Sequence, residues 1–437
     1  MPVSKAASEA ERLALSKVRR YILGYIVVGQ LFVQLDRTNI GFAALTMSKD
    51  LAIKATVFGF ASGVFALGAF FAQVPAGFAL ERLHPRRWLT AIMMAWGAVG
   101  CAQAFVTNDI QLIALRFLLG ALESSFVPGV YILISLWFRG EKHSTAISAV
   151  QIGTAMSGVL GAPFAGFLLG HTLLGIAGWR GLFLIEGGLT MLWALVGLYV
   201  LWDGPDNCLW LRREERLRVA DVLASAPRDL AAHAPPERSS LWAVIKDWRI
   251  VLLVLAYTCA GWVSATFAFF IPTLLRAAGA GLSPQTVGVL AMGPYLVMAV
   301  MALTWGAHAD RTERHWHCVI PLLISALGIM IYVAHKSPVV AMLCLAMVQA
   351  GSTGFFVTFW PLCGALVGKN TLAKATALIS IGTQASSFVA PIVFGWALEA
   401  TGRATVGLYI CVGVLLLNFV IMNIFFYNHK INSKNSS

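Results

Sequence analysis

Charged residues are scarce in this sequence of 437 residues. Lys and Arg number 32 and Asp and Glu number 20, so charged side chains make up 12% of the chain, whereas hydrophobic side chains make up 58%. The mean hydropathy is +0.76. A soluble globular protein of this length needs far more polar surface. The composition therefore predicts a polytopic, all-α membrane protein.

Several motifs that carry chemistry are also missing. The sequence has no Walker-type phosphate loop, no His-Glu-x-x-His pair and no Gly-x-Ser-x-Gly turn, which argues against an ATP-driven pump and a membrane hydrolase. The seven cysteines are widely spaced and lie mostly in apolar segments, so they indicate neither a disulfide framework nor a thiolate metal site. His308 and the run His315-Trp316-His317 lie at a loop without clustered carboxylates or thiolates. We predict no enzymatic activity, no cofactor and no metal.

Long apolar segments are what the sequence does contain. Twelve segments have about the length that crosses a bilayer, with ends uncertain by a few residues. They run over roughly 21–45, 56–80, 88–106, 110–138, 144–170, 179–202, 250–275, 284–307, 318–334, 338–367, 372–398 and 404–427.

The net charge of +12 is compatible with nucleic-acid binding, but the distribution of the charges favours a topological origin. If the N-terminus is cytoplasmic, the inside segments hold 24 of the 32 Lys and Arg residues, the outside segments hold six, and two lie within apolar segments. This split predicts a multi-pass protein of the cell membrane with both termini in the cytoplasm. No nucleic-acid partner is expected, and we expect a monomer in the lipid bilayer.

Residues 203–249 interrupt the apolar pattern and divide the segments into two sets of six. The predicted domains are a cytoplasmic N-terminal segment (1–20), two six-helix bundles (21–202 and 250–427), a cytoplasmic linker (203–249) and a cytoplasmic tail (428–437). The first part of the linker is expected to form a surface helix that the pair Pro235-Pro236 ends.

A loop motif occurs in both halves, after the second and after the eighth segment. Each copy has a Gly, three residues, an acid, an Arg and further basic residues. We predict that the glycines bring helices together and that the charges hold one conformation shut. The residues are Gly77, Glu81, Arg82 and Arg86 in the first copy, and Gly306, Asp310, Arg311 and Arg314 in the second. Two parallel six-helix repeats are typical of alternating-access transporters.

The first apolar segment carries an acid, a base and an amide, Asp36, Arg37 and Asn39. At a rise of about 1.5 Å per residue these side chains lie near the middle of the bilayer. An uncompensated charge there costs about 2.5 to 3.5 kcal/mol, so such residues usually face a partner or a substrate path. A buried ion pair that only orders the bundle is the alternative.

These motifs resemble those of the major facilitator superfamily. Within it, the chain is similar to the anion:cation symporter family, which includes bacterial galactonate, tartrate and phthalate carriers and is similar to sialin and the vesicular glutamate transporters. The resemblance covers nearly the whole chain and rests on 35–41 (LDRTNIG), 115–123 (LRFLLGALE), 126–129 (FVPG) and 179–187 (WRGLFLIEG). Glu81 replaces the usual Asp and His84 the usual Gly, and Phe270 stands where many members have Trp.

Arg116 and Glu123 lie seven residues apart in the fourth segment, hence on one helix face and about 10.5 Å apart along the axis. The resemblance implies that Arg37 and Arg116 bind the substrate carboxylate and that Asp36 and Glu123 carry protons. Asn39 is added to the predicted substrate ligands. A guanidinium keeps its charge and matches a carboxylate in a two-point contact, which agrees with this assignment. Mutual neutralisation of Arg116 and Glu123, without further function, is the alternative.

The second half has fewer intramembrane charges, so we predict that it shapes the substrate pocket. Its polar and aromatic candidates are Tyr257, Thr258, Thr358, Trp360, Thr383 and Gln384. Among these we assign Gln384, Trp360 and Tyr257 to substrate binding. On the fifth segment, Gly158, Ala162 and Gly166 recur every fourth residue, which favours close helix packing.

The sequence thus predicts a proton-coupled secondary transporter of a small organic anion that works by alternating access. Two alternatives stay open at this point. One is an exchanger or facilitator with the same pocket and no proton coupling, and the other is a transporter-like sensor without flux. The identity of the carboxylate is not encoded in these motifs, since sugar acids, dicarboxylates and aromatic acids all present the same group to the arginines.

Overall fold

The chain is almost entirely helical, as predicted. The structure is a computed structural model that describes residues 5–138, 141–172, 175–225, 246–279, 281–309, 314–335, 337–367 and 369–435. In the first half, α1 (Lys5–Val18) runs through one π-helical turn (Arg19–Leu23) into α2 (Gly24–Asp50). It is followed by α3 (Ala55–Arg82), α4 (Pro85–Gln103), α5 (Asp109–Glu123), α6 (Phe126–Trp137), α7 (Glu141–Leu169) and α8 (Gly178–Val200).

Within the described ranges, the second half contains six long helices. A short helix, α9 (Arg213–Ser225), precedes them and is the surface helix expected in the linker. The pair Pro235-Pro236 lies outside the described residues. The long helices are α10 (Trp248–Ala278), α11 (Pro284–Ala309), α12 (Arg314–Ala334), α13 (Pro338–Leu366), α14 (Lys369–Thr401) and α15 (Thr405–Asn435).

The fourth apolar segment differs from the single helix that was predicted. It is divided between α5 and α6 at Ser124 and Ser125. Pro128 explains the break, because it has no N–H to donate to the carbonyl of Ser124 and its ring occupies the space beside that carbonyl. The break lies directly after Glu123, so this carboxylate stands at the end of α5.

Ten spans in the described part of the chain are long and apolar enough to cross a membrane, with α5 and α6 together forming one of them. Helices α2 and α4 complete the twelve predicted segments. Both have the length of a crossing, 27 and 19 residues, but both carry charged side chains. These charges lower their hydropathy, and in α2 they include Asp36 and Arg37, which the sequence marks as functional.

The two halves contact each other through α2 and α10, α3 and α14, and α7 and α11. Glycines permit the closest approaches. A Cβ on Gly59 would lie 2.2 Å from the carbonyl oxygen of Pro391, and one on Gly41 would lie 2.4 Å from that of Phe269. The packing predicted for the fifth segment is also present, because a Cβ on Gly166 would lie 2.9 Å from Cα of Gly288.

These close approaches lie towards one end of the bundle, the end where α2 and α10 finish and where α3 and α11 begin. A partly open cavity of about 320 Å³ lies between the halves in the middle of the helices. The contacts between the halves therefore close one end of the cavity, and the opposite end, near the turn between α3 and α4, offers the way in.

Candidate functional site

The predicted charged stretch lies in the middle of α2, and its side chains point in different directions. Asp36 and Asn39 are 6% and 1% exposed. Arg37 is different, since 39% of its side chain is exposed and it lines the cavity. Helix periodicity explains the division, because residues about 100° apart around the axis point in different directions, so Gln34, Arg37 and Thr38 face the cavity while Asp36 and Asn39 face neighbouring helices.

Arg37 forms an ion pair with Glu123. Its Nε lies 3.2 Å from Oε2 of Glu123, whose side chain is fully buried. The pair links α2 to the end of α5, so the partner of Glu123 is a residue of another helix and not Arg116. The second carboxylate oxygen of Glu123 has no hydrogen-bond partner among the described residues.

Arg116 is fully buried and stands behind the cavity. Its Nη1 donates to the main-chain oxygen of Asp36 at 3.0 Å, while Nε and Nη2 have no hydrogen-bond partner in the described part of the chain. Both guanidinium groups lie over the ring of Phe65, whose centroid is 5.3 Å from Cζ of Arg37 and 5.0 Å from Cζ of Arg116. Arg116 was predicted to share a binding space with Arg37, but in this conformation it does not line the cavity.

The cavity receives residues from both halves. Polar side chains contribute one part of its wall, and small or aromatic side chains the other. The lining residues are Gln34, Arg37, Thr38, Ser62, Phe65, Ala66, Ala69, Tyr257, Gly261, Ser264, Ala265, Ala268, Phe269, Phe356, Thr383, Gln384 and Ser387. Arg37 is the charged residue of this wall.

The second half supplies two of the predicted ligands to the cavity, Tyr257 and Gln384. Trp360 stands beside them, and its indole Nε1 donates to the hydroxyl of Tyr257 at 3.1 Å. Thr258 and Thr358 instead satisfy helix carbonyls, with Oγ1 to oxygen distances of 2.7 Å to Val254 and 2.9 Å to Gly354. Tyr257 is thus positioned by Trp360, and these two threonines act within their own helices.

Asn39 is placed away from the cavity, contrary to its predicted position among the substrate ligands. It is buried beside Glu186 of α8, and neither its amide nitrogen nor its oxygen has a hydrogen-bond partner among the described residues. Glu186 belongs to one of the sequence motifs, but no role was predicted for it. The signal for Glu186 in the sequence is a carboxylate inside an otherwise apolar stretch, 181–200.

The loop motif is only partly described. Arg86 donates its backbone N–H to Oδ1 of Asp203 at 3.1 Å, its guanidinium donates to the carbonyl of Leu198, and it stacks on Trp202 with Cζ 3.8 Å from the ring centroid. These contacts fix the start of α4 against the end of α8. The side chains of Glu81 and Arg314 and the whole of Asp310 and Arg311 lie outside the described residues.

The two motif glycines differ in their surroundings. A Cβ on Gly77 would meet no atom within 4 Å. This glycine therefore does not bring two helices together in this conformation, although such a contact was predicted. A Cβ on Gly306 would lie 2.8 Å from the side chain of Val357, so α11 and α13 do approach closely at the second copy.

His308 and His317 form a pair, with Nδ1 of the first 2.8 Å from Nε2 of the second. Within the described ranges, no three His, Cys, Asp or Glu side chains are grouped as a metal would require.

Known proteins match the chain over most of its length. The sequence pattern of the Major Facilitator Superfamily matches residues 26–279 and again residues 253–437. A protein of Agrobacterium vitis named "Putative tartrate transporter" is 33% identical over 420 residues, which are 95% of this chain and 91% of that protein. The metabolite transport protein NicT of Pseudomonas putida, named as putative, is 27% identical and covers 96% of this chain and 97% of its own.

Solved structures give the same fold. A bacterial homologue of the human lysosomal transporter Spinster, in an inward-facing and occupied conformation, superposes with a TM-score of 0.77 at 15% identity. The match covers 94% of this chain and 97% of the other. The repeated family match, the relatives and the shared fold agree, and we conclude that the chain belongs to the major facilitator superfamily and is a membrane transporter rather than an enzyme.

Proposed function

We propose that this protein is a proton-coupled secondary transporter of small organic anions. The observation that carries the proposal is the ion pair between Arg37, which lines the cavity, and Glu123, which is buried behind it. The name of one relative, "Putative tartrate transporter", supports an organic anion as the substrate.

The binding step follows from the position of Arg37. Its Nε is engaged by Glu123, and its partly exposed side chain leaves donors for a ligand in the cavity. A carboxylate is the anion that a guanidinium fork binds in a two-point contact. Tyr257 and Gln384 face the same space from the second half, so one substrate molecule in a cavity of about 320 Å³ contacts both halves.

The coupling step follows from competition for Arg37. When a substrate carboxylate binds this guanidinium, its attraction for Glu123 weakens. A buried carboxylate without a counter-charge is strongly disfavoured, so Glu123 takes up a proton. By thermodynamic reciprocity, protonation of Glu123 must then favour substrate binding. Asp36 is the second proposed proton carrier, because its main chain is bound to Arg116 and its side chain is buried.

The arrangement in the membrane is part of the proposal. From the charge distribution, the open end of the cavity faces the cytoplasm, both termini are cytoplasmic, and the two six-helix bundles (21–202 and 250–427) move against each other as a monomer in the cell membrane. Tags at the two ends test this topology. Labelling of either tag on intact, unpermeabilised cells contradicts it.

Transport in proteoliposomes tests the function. Labelled tartrate and nicotinate are offered with an inward proton gradient, with the gradient collapsed, and in counterflow against unlabelled substrate. Accumulation that requires the gradient supports symport. Counterflow without gradient-driven accumulation indicates an uncoupled exchanger or facilitator, and binding without any flux indicates a sensor.

A further inference from the structure

Glu186 is a buried carboxyl group that the proposed transport cycle does not use. It lies on α8 and is 2% exposed, and neither of its carboxylate oxygens has a hydrogen-bond partner among the described residues. Burial of a charged carboxylate without a counter-charge or hydrogen bonds is very costly, and a group in this position normally becomes neutral.

The groups that face Glu186 come from α2 and α4. On α2 they are Asn39, beside Glu186, and Asp36, which is close enough for an electrostatic interaction. On α4 the indole of Trp96 and the thiol of Cys101 lie near Asp36, and the thiol donates to the carbonyl of Leu184 at 3.6 Å. Helix α7 also packs against α8, and its described stretch 152–169 contains no charged residue.

Among the residues that the structure describes, no cation faces Glu186 directly. Three buried carboxyl groups lie in this region, Asp36, Glu123 and Glu186, and two guanidinium groups accompany them. Arg37 is paired with Glu123, and Arg116 interacts electrostatically with Asp36 and Glu123. Glu186 is therefore left without a positive partner in an apolar interior, and neutralising this carboxylate takes one bound monovalent cation.

We propose that Glu186, with Asp36 and Asn39, forms a second proton-binding site behind the cavity, and that the proton resides on Glu186. The proton comes from water through the cavity and binds a carboxylate oxygen, which removes the excess negative charge. The site is connected to the arginines through α2, because the main chain of Asp36 accepts a hydrogen bond from Arg116. A contribution of this site to proton-coupled transport rests on the proposed function, whereas the protonation of Glu186 does not.

Infrared spectroscopy of the purified protein at pH 7 tests the protonation directly. A protonated carboxylic acid has a C=O stretching band that is distinct from carboxylate bands and shifts in heavy water. The wild type is expected to show this band and the Glu186→Gln variant to lose it. Asp36→Asn is expected to keep it, since Glu186 then remains without a counter-charge. Glu399→Gln changes an acid at the end of α14 that faces Lys54 at 3.8 Å, and is expected to keep the band as the control.

Two results overturn the proposal. One is an acid band that persists unchanged in Glu186→Gln, because the proton then resides elsewhere. The other is a melting temperature that rises with Na⁺ but not with choline in the wild type and loses this response in Glu186→Gln, because the cation is then Na⁺.

A second experiment measures how the affinity for substrate depends on pH. Glu186→Gln is expected to bind substrate with a weaker pH dependence than the wild type, while Glu399→Gln follows the wild type. If no variant or wild type binds any organic anion, the proposed function fails, but the infrared result still decides the protonation of Glu186.

Discussion

Nε of Arg37 lies 3.2 Å from Oε2 of Glu123, and this pair joins a residue that reaches the cavity to one that is fully buried. The cation of the pair is exposed to the cavity, whereas the carboxylate is buried in this conformation. A ligand therefore competes with Glu123 for Arg37, and every test of the mechanism starts from this competition.

Replacing Arg37 by Lys keeps the charge but removes the two-point contact. Loss of charge-assisted hydrogen bonds of this kind costs about 1.5–3 kcal/mol, so the Kd for the transported carboxylate should rise about ten-fold or more. Equilibrium binding to purified protein measures the change. Arg403→Lys, at an exposed position after α14, is the control and should leave the Kd unchanged. Wild-type affinity in Arg37→Lys would place the carboxylate elsewhere.

Replacing Arg116 by Lys should act mainly on stability. Arg116 is fully buried and holds the main chain of Asp36, so the variant leaves polar groups of α2 and α5 unsatisfied and is expected to lose about 1–3 kcal/mol. The melting temperature without substrate measures this loss and should fall further than in Arg37→Lys, whose side chain is 39% exposed. Equal melting temperatures in the two variants would contradict the structural role of Arg116.

Glu123→Gln imitates the protonated acid and should separate exchange from accumulation. The variant is expected to bind substrate and to support counterflow, because Arg37 is freed for the ligand. Accumulation driven by a proton gradient should be lost, since Gln cannot carry a proton. Uptake and counterflow in the same proteoliposomes measure both properties. Undiminished uphill uptake would remove Glu123 as a coupling residue. Asp36→Asn should damage accumulation as well, with weaker binding because of its neighbour Arg37.

Phe65 should position the two arginines. Its ring contacts both guanidinium groups, and cation–π contacts of this kind contribute about 0.5–2 kcal/mol. Phe65→Leu keeps the apolar character and should raise the substrate Kd about three- to thirty-fold. Phe70→Leu, on the same helix and outside the cavity lining, is the matched control. Identical Kd values for the two variants would show that the ring does not orient the arginines.

The contact between α1 and α9 should weaken in acid. Partial burial raises the pKa of Glu215, but hydrogen bonds from the Lys17 side chain and the Arg212 backbone outweigh it and hold the pKa below its ordinary value. The stabilisation is therefore present above the ordinary pKa of Glu and is lost as the pH falls through the lowered value. A partly exposed pair of this kind contributes at most about 1 kcal/mol.

Limited trypsin digestion of α1 at neutral pH measures this contact. Glu215→Gln is expected to speed cleavage about two- to five-fold, which corresponds to a loss of up to about 1 kcal/mol. Glu214→Gln, at the exposed neighbouring position, should cleave at the wild-type rate. Equal cleavage in both variants would show that α1 is held by its apolar contacts alone.

The sequence by itself determined the class of protein and its helices. Segments of about twenty apolar residues have one stable solution in a bilayer, because each backbone polar group must be satisfied within its own helix. The cost of a charge in an apolar segment is equally a property of the sequence, and it singles out Asp36, Arg37, Arg116 and Glu123.

The tertiary structure decided which of these charges meet. Periodicity within a helix places Arg116 and Glu123 on one face, but it does not fix how that helix is rotated against α2 or where α5 ends. Only the packing of α5 against α3 and α4, and of α2 against α8, pairs Glu123 with Arg37, buries Arg116 against Phe65 and turns Asn39 towards Glu186. Contacts between residues far apart in the chain depend on these rotations, and a single sequence read helix by helix does not contain them.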